Sequence, residues 1–90
     1  MAWIKIETEK DLPPIDELVW AYNEKEPFEL YLAERYLHRD DNDNICWNWV
    51  VTYNLGMIYF TPKGNIAADT VFDDQYEFTH WHPLPQKPEI

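Results

Sequence analysis

The chain has no serine, a single cysteine and only two glycines. Without serine it lacks the hydroxyl nucleophile that most hydrolases use. Gly56 and Gly64 stand apart, so they cannot form a glycine-rich loop that holds phosphates. Cys46 alone can neither close an internal disulfide nor supply a zinc site built from several cysteines. We therefore expect a protein that is not an enzyme and that needs no cofactor.

Basic residues are scarce. Seven lysines and arginines stand against seventeen aspartates and glutamates, which gives a formal net charge of −10. The few bases are scattered along the chain. We therefore expect no direct nucleic-acid binding and no attraction to an anionic membrane surface, since both need clustered positive charge.

Long apolar runs are missing as well. No segment approaches the ~18 residues that a membrane-spanning helix needs. The N-terminus also lacks the basic and apolar parts of a signal peptide. Together with the lone cysteine, these features predict a cytoplasmic protein.

Aromatic residues, by contrast, are abundant. Five Trp, six Tyr and four Phe make up 17% of the ninety residues. Such rings bury about 150 to 250 Å² each, so they can fill the core of a small domain, and exposed ones can form a stacking surface for a ligand. We predict one domain over residues 1–85 and a flexible tail over residues 86–90.

Alternating apolar residues predict several short strands. The predicted strands are residues 3–6, 16–22, 45–53, 57–61 and 76–82. Residues 62–65 are predicted to form a turn, and residues 66–75 a loop with a brief strand or one helical turn.

Two of these strands have informative faces. Both faces of the strand over residues 16–22 are largely apolar, which predicts a central position in the sheet. In the strand over residues 45–53, one face is predicted to be core. That face carries Ile45, Trp47, Trp49, Val51 and Tyr53.

Residues 28–37 fit two structures. Phe28, Leu30 and Leu32 alternate as in a strand, whereas much of the segment consists of good helix formers. We choose a strand, because it can form a hairpin with residues 16–22, and a short helix is the alternative. The predicted fold is mainly β: a single small domain, an antiparallel meander or small open barrel with at most one short helix. The alternative is an α+β fold.

The last predicted strand ends in prolines. Alternation places Phe78, His80 and His82 on one face and Thr79 and Trp81 on the other, until Pro83 removes a backbone donor. We expect this strand to share a sheet with Trp3-Ile4, because isolated hairpins are marginal. The predicted structural anchors are Trp3, Thr79, Trp81, Pro83, Leu84 and Pro85.

Four short elements resemble a family of small phage and prophage proteins of unknown function. They are Trp3-Ile4, Leu12-Pro13, Glu17-Leu18-Val19 and Thr79-His80-Trp81-x-Pro-Leu-Pro. The resemblance also implies a strand within residues 28–37 and a location in the cytoplasm of a bacterial host cell. It implies no particular activity, because the family has none assigned.

Two patterns suggest metal binding, and we predict that neither binds a metal. His80 and His82 lie two residues apart on one strand face, a spacing that can hold a metal if a third ligand approaches. The resembled family usually has an apolar residue at the position of His82, which argues against that site. The Asp40–Asn44 run fails the EF-hand pattern, because Ile45 stands where the loop needs glycine.

We predict a small acidic accessory protein that binds a host or phage protein. The candidate binding residues are Asp40, Asp41 and Asp43 in one loop, together with His80 and Trp81. One alternative is an aromatic pocket that binds or sequesters a small nucleotide-like ligand. The other is an acidic mimic of nucleic acid that inhibits a host defence protein.

Overall fold

The computed structural model describes residues 2–52, 59–68, 71–72 and 76–88, and within them the chain is mainly β. The strands are β1 (Ile4–Lys5), β2 (Val19–Tyr22), β3 (Tyr31–Arg39), β4 (Ile45–Val51), β5 (Tyr59–Phe60), β6 (Ile66–Ala67), β7 (Val71–Phe72) and β8 (His80–Pro83). The only helical segment among the described residues is a 3₁₀ turn, Glu9–Asp11. The predicted mainly β class is confirmed. No helix in the described part of the chain is long and apolar enough to cross a membrane.

Six of the strands form one antiparallel sheet in the order β1-β8-β2-β3-β4-β7. The other two, β5 and β6, form a separate ribbon. The large sheet is open, with β1 and β7 at its edges. Its order departs from a simple meander at two places, because β8 lies between β1 and β2 and because β4 pairs with β7 rather than with β5.

The two ends of the chain meet in this sheet, as predicted. Ile4 pairs with Trp81, and the Ile6 backbone N–H donates to the Thr79 carbonyl at 2.8 Å. On its other side, β8 pairs with β2 from Tyr22 to Val19. Thr79 reinforces this junction, because its hydroxyl accepts a hydrogen bond from the Glu24 N–H at 3.0 Å.

The core lies on one face of the sheet, which we call the core face. Val19 and Ala21 of β2 are fully buried there. The register places Ala33 of β3 and Val51 of β4 beside them, and both are also fully buried. The prediction of a central strand at residues 16–22 is thus confirmed, because β2 has a neighbour on each side.

The ambiguous segment forms a strand. β3 pairs with β4 over seven consecutive residue pairs, from Ala33–Val51 to Arg39–Ile45. The strand begins three residues later than the predicted start of the segment, and Phe28 lies outside it with 99% of its surface exposed. The long pairing with β4 outweighs the helix propensity of the segment.

Two predicted face assignments are wrong. Ile45 is 68% exposed rather than in the core, because the β3–β4 hairpin continues beyond the part of the sheet that the core covers. Phe78 is only 8% exposed on the core face, whereas His80 lies on the opposite face beside Tyr22. A bend at Thr79 breaks the alternation between these two residues. Tyr53, the last predicted core residue, lies outside the described residues.

The predicted turn at residues 62–65 is confirmed. The Gly64 N–H donates to the Thr61 carbonyl at 2.8 Å, and Gly64 has a φ of +88°, which favours glycine. Residues beyond the last strand reach this turn, because the Lys87 N–H donates to the Gly64 carbonyl at 2.8 Å.

Trp81 supplies a test of the junction between β8 and the rest of the fold. Its ring packs against the core, and its indole N–H donates to the Asp11 carbonyl at 2.6 Å. Trp81→Ala should lower the free energy of unfolding by about 3 kcal/mol. Trp81→Phe keeps most of the packing but loses the hydrogen bond. The free energy of unfolding should therefore fall by about 1 kcal/mol more than the smaller buried ring area explains, which is the contribution of one hydrogen bond. Urea denaturation measures both, and a Trp81→Ala protein as stable as the wild type would contradict the anchoring role.

Candidate binding cleft

A cleft of about 470 Å³ lies on the core face, beside the segment that follows β1. This volume is within the range of ligand-binding sites in proteins. We call it the aromatic cleft, because four rings line it. They belong to Trp47, Trp49, Tyr76 and Phe78.

The period of the strands brings these rings together. Trp47 and Trp49 are two residues apart on β4 and therefore share its core face. Their ring centroids lie 5.5 Å apart, at an angle of 83° between the planes. Phe78 meets Trp49 from the chain segment before β8, at 5.1 Å and 89°. Such edge-to-face contacts are favourable and fix the orientation of each ring.

Burial divides the four rings into a floor and walls. Trp49 and Phe78 are 6% and 8% exposed, so they form the floor. Trp47 and Tyr76 are half-buried and present part of their rings to solvent. The cleft is thus an apolar surface that is held in place by the core beneath it.

A cation already lies against one of the walls. The guanidinium carbon of Arg35 is 4.5 Å from the centre of the Trp47 ring, and Nη1 donates to the Pro13 carbonyl at 2.7 Å. Burial lowers the pKa of Arg35, and the negative charge of Glu9 opposes this shift. The Trp47 ring therefore takes part in a cation–π contact within the fold itself.

Three exposed glutamates border the cleft, and we call them the acidic rim. They are Glu7, Glu9 and Glu77. The backbone that carries two of them is fixed by Asp11, whose carboxylate accepts hydrogen bonds from the Glu7 and Thr8 N–H groups at 3.1 and 3.0 Å. These bonds, that from Glu7 first, lower the pKa of Asp11. The described lining contains no cysteine, histidine or serine.

Tyr31 supports the cleft from beneath. Its ring centroid lies 4.9 Å from that of Tyr76 and 5.5 Å from that of Phe78. Burial, followed by a hydrogen bond with Tyr76, raises the pKa of Tyr31 to about 12. The fold therefore favours the neutral phenol at this position.

The predicted acidic residues lie elsewhere, in the loop that joins β3 to β4. The Asp40 carboxylate accepts hydrogen bonds from the Asn42 and Asn44 N–H groups, both at 2.9 Å. Asp43 has a φ of 65° and forms an ion pair with Arg39 at 3.1 Å. Asp40 and Asp43 thus stabilise the turn, and the Asp41 side chain is exposed.

His80 and Trp81 do not join that loop. They lie on opposite faces of β8: Trp81 packs against the core, and His80 lines a second cleft of about 330 Å³ with Trp3 and Tyr22. Trp81 of β8 pairs with Ala21 of β2, and Ala21 pairs in turn with Tyr31, the first residue of β3. The acidic loop begins after Arg39, the last residue of β3. Eight residues at about 3.3 Å each separate these ends by about 26 Å. The five candidate binding residues therefore do not form one site.

The predicted histidine pair also has neighbours of its own. Nδ1 of His80 lies 2.8 Å from the Thr79 hydroxyl, and the His82 ring centroid is 5.5 Å from that of Trp3. Within the described residues, no group of three metal-ligating side chains occurs.

The sequence interpretation did not identify the aromatic cleft. A signal was present, because Trp47-x-Trp49 and Tyr76-x-Phe78 each place two aromatic residues on one strand face. The pairing of these two segments in space depends on the sheet order and on the bend at Thr79, which alternation does not reveal.

No family model, curated protein or solved structure matches this chain. Its own geometry is therefore the basis for interpreting the cleft.

The raised pKa of Tyr31 predicts a loss of stability in alkali. The contribution is fully present below the ordinary value of 10.0 and is lost as pH rises from there through about 12. Tyr31→Phe should remove part of this loss, so its melting temperature should fall less steeply between pH 10 and 12. Thermal melts across that range measure the slope. Tyr59→Phe, which alters an exposed phenol, is the matched control and should retain the wild-type slope; equal slopes for all three proteins would contradict the prediction.

The turn contacts of Asp40 predict a different effect in acid. Hydrogen bonds from the backbone, that of Asn44 first, lower the pKa of Asp40 below 3.8. Its stabilisation is present above that value and is lost as pH falls through the lowered pKa. Asp40→Ala should therefore reduce the melting temperature at pH 7. At a pH below the lowered pKa of Asp40, the substitution should leave the melting temperature unchanged. Asp41→Ala should stay within about 3 °C of the wild type, and a larger effect at Asp41 than at Asp40 would refute this account of the turn.

Proposed function

We propose that this protein acts by stoichiometric binding to a protein partner, through the aromatic cleft and its acidic rim. The observation that supports the proposal is the combination of a buried aromatic floor, two half-buried aromatic walls and three exposed carboxylates at one cleft. Aromatic anchors in pockets with a polar border are typical of protein-binding surfaces. In this proposal the protein acts by binding alone and is not an enzyme.

The charge of the whole chain is consistent with a basic partner. A net charge of −10 on ninety residues creates a field that accelerates encounter with a positive surface and repels nucleic acid. The acidic rim would then meet the positive surface of the partner directly.

The C-terminal Thr79-His80-Trp81-x-Pro-Leu-Pro signature supports a phage or prophage origin. On that basis, the protein is an accessory protein that works in the cytoplasm of a bacterial host, and its partner is a host or phage protein. The sequence signature supports the proposed origin and location, and the aromatic cleft supports the proposed mode of binding.

The two alternatives have less support from the described residues. A nucleotide-like ligand in the aromatic cleft would bring its phosphates to the acidic rim, while the nearby Arg35 already donates to Pro13. A nucleic-acid mimic would need a continuous line of available carboxylates. Asp40 and Asp43, two members of the densest acidic run, instead hold their own turn.

Neutralising the acidic rim tests the proposal. In the rim variant, Glu7, Glu9 and Glu77 are all changed to Gln, which removes three negative charges with little change in shape. Capture of the partner from a bacterial lysate by immobilised protein should fall severalfold for this variant, because both steering and local charge pairing are weakened. Quantitative mass spectrometry of the captured proteins measures the change.

A control variant removes the same number of charges away from the cleft. It carries Asp16→Asn, Glu24→Gln and Asp41→Asn, all at exposed positions, and should capture the partner at close to the wild-type level. Raising the ionic strength from about 0.1 to about 1 M shortens screening from about 10 to 3 Å and should weaken wild-type capture. Equal capture by the rim variant and the wild type would overturn the proposed binding surface, as would an equal loss in both variants.

A further inference from the structure

We infer that the aromatic cleft receives one cationic side chain of the partner, the ammonium group of a lysine or the guanidinium group of an arginine. This inference rests on the proposed function and specifies the chemistry that the cleft recognises. Three features of the cleft carry it: the available ring surface, the cation already bound to one ring, and the position of the carboxylates.

The rings offer a surface for a cation and for its hydrocarbon stem. Trp49 and Phe78 form a buried apolar floor, while Trp47 and Tyr76 are half-buried and present part of their rings to solvent. Lysine and arginine carry three or four methylene groups below the charge, and they commonly pack this stem on apolar surface while the charged end stays in water. A partner side chain that lies across the cleft would pack its methylene stem on the apolar floor and hold its charged end beside the acidic rim.

Arg35 shows that a cation is accepted at these rings. Its guanidinium group lies 4.5 Å from the centre of Trp47, within the range of a cation–π contact. The Tyr76 ring, which also borders the cleft, is half-buried and stacks on Phe78 at 6.2 Å with a 10° angle between planes. A second cation entering from solvent would therefore meet Tyr76 and the exposed part of Trp47.

The acidic rim supplies the charge that a second cation needs beside Arg35. All three rim carboxylates are exposed. Lys5 lies 3.9 Å from Glu7, but the two side chains are 58% and 68% exposed, so this ion pair contributes little. Three exposed carboxylates against the one half-buried guanidinium of Arg35 leave the mouth of the cleft negative, which favours a cation and disfavours a phosphate or carboxylate.

Three acetylated tripeptide amides, Gly-X-Gly with X as lysine, arginine or norleucine, serve as defined probes. Norleucine matches the lysine stem and lacks the charge. The lysine and arginine peptides should bind about tenfold more tightly than the norleucine peptide, as a cation–π contact with added carboxylates predicts. NMR titration of the assigned Trp47 and Trp49 indole N–H signals measures each affinity and locates the contact.

The variants then separate the contribution of charge from that of the rings. In the rim variant, the preference for the lysine and arginine peptides over the norleucine peptide should fall from about tenfold to about two- or threefold, the part that the rings supply, whereas the control variant should retain the tenfold preference. Tyr76→Leu should reduce binding of the cationic peptides severalfold. This substitution keeps an apolar side chain in the wall of the cleft, so the variant is expected to fold. A well-dispersed NMR spectrum confirms that it has folded. Should it unfold, the rim variant and the norleucine comparison still decide the inference.

The outcomes distinguish this inference from the proposed function. A norleucine peptide that binds as tightly as the lysine peptide, with partner capture still lost in the rim variant, would overturn the cation and leave protein binding intact. Selective binding of the cationic peptides with undiminished partner capture in the rim variant would overturn the proposed role of the cleft instead. Shifts confined to indole signals other than those of Trp47 and Trp49 would place the cation elsewhere and overturn the inference.

Discussion

The insertion of β8 between β1 and β2 is the contact on which the rest of the structure depends. It joins the two ends of the chain by backbone hydrogen bonds on both sides of one four-residue strand. β1 has only two residues and would not be stable alone. The same insertion positions the bend at Thr79, which turns Phe78 towards Trp49 and so completes the floor of the aromatic cleft.

The floor of the cleft is also part of the core. Trp49 and Phe78 belong to the same buried cluster as Val19 and Val51. A ligand would therefore meet a surface whose shape is set before binding, which reduces the entropy cost of association. It also means that changes to the floor affect folding and binding together, whereas changes to the acidic rim can separate the two.

The acidic residues of this chain serve different purposes. The carboxylates of Asp11 and Asp40 accept backbone hydrogen bonds within a few residues of themselves and so fix local turns. The glutamates of the acidic rim are exposed beside the cleft. A net charge of −10 consequently indicates the kind of partner that the field favours, but it does not locate the contact.

The sequence by itself determined the class of the fold and the central place of β2, because period-two alternation and β propensity are local properties. It also indicated that Ile4 joins the last strand, since isolated hairpins are marginal. The choice of a strand over a helix at β3 was settled by its seven-pair register with β4. Only the tertiary structure decided that Ile45 is exposed and that Phe78 and His80 lie on opposite faces. It also separated the five candidate binding residues and assembled the aromatic cleft. Those outcomes depend on which strands become neighbours and where the chain bends, and residues as far apart as Trp49 and Phe78 meet only after the sheet has formed.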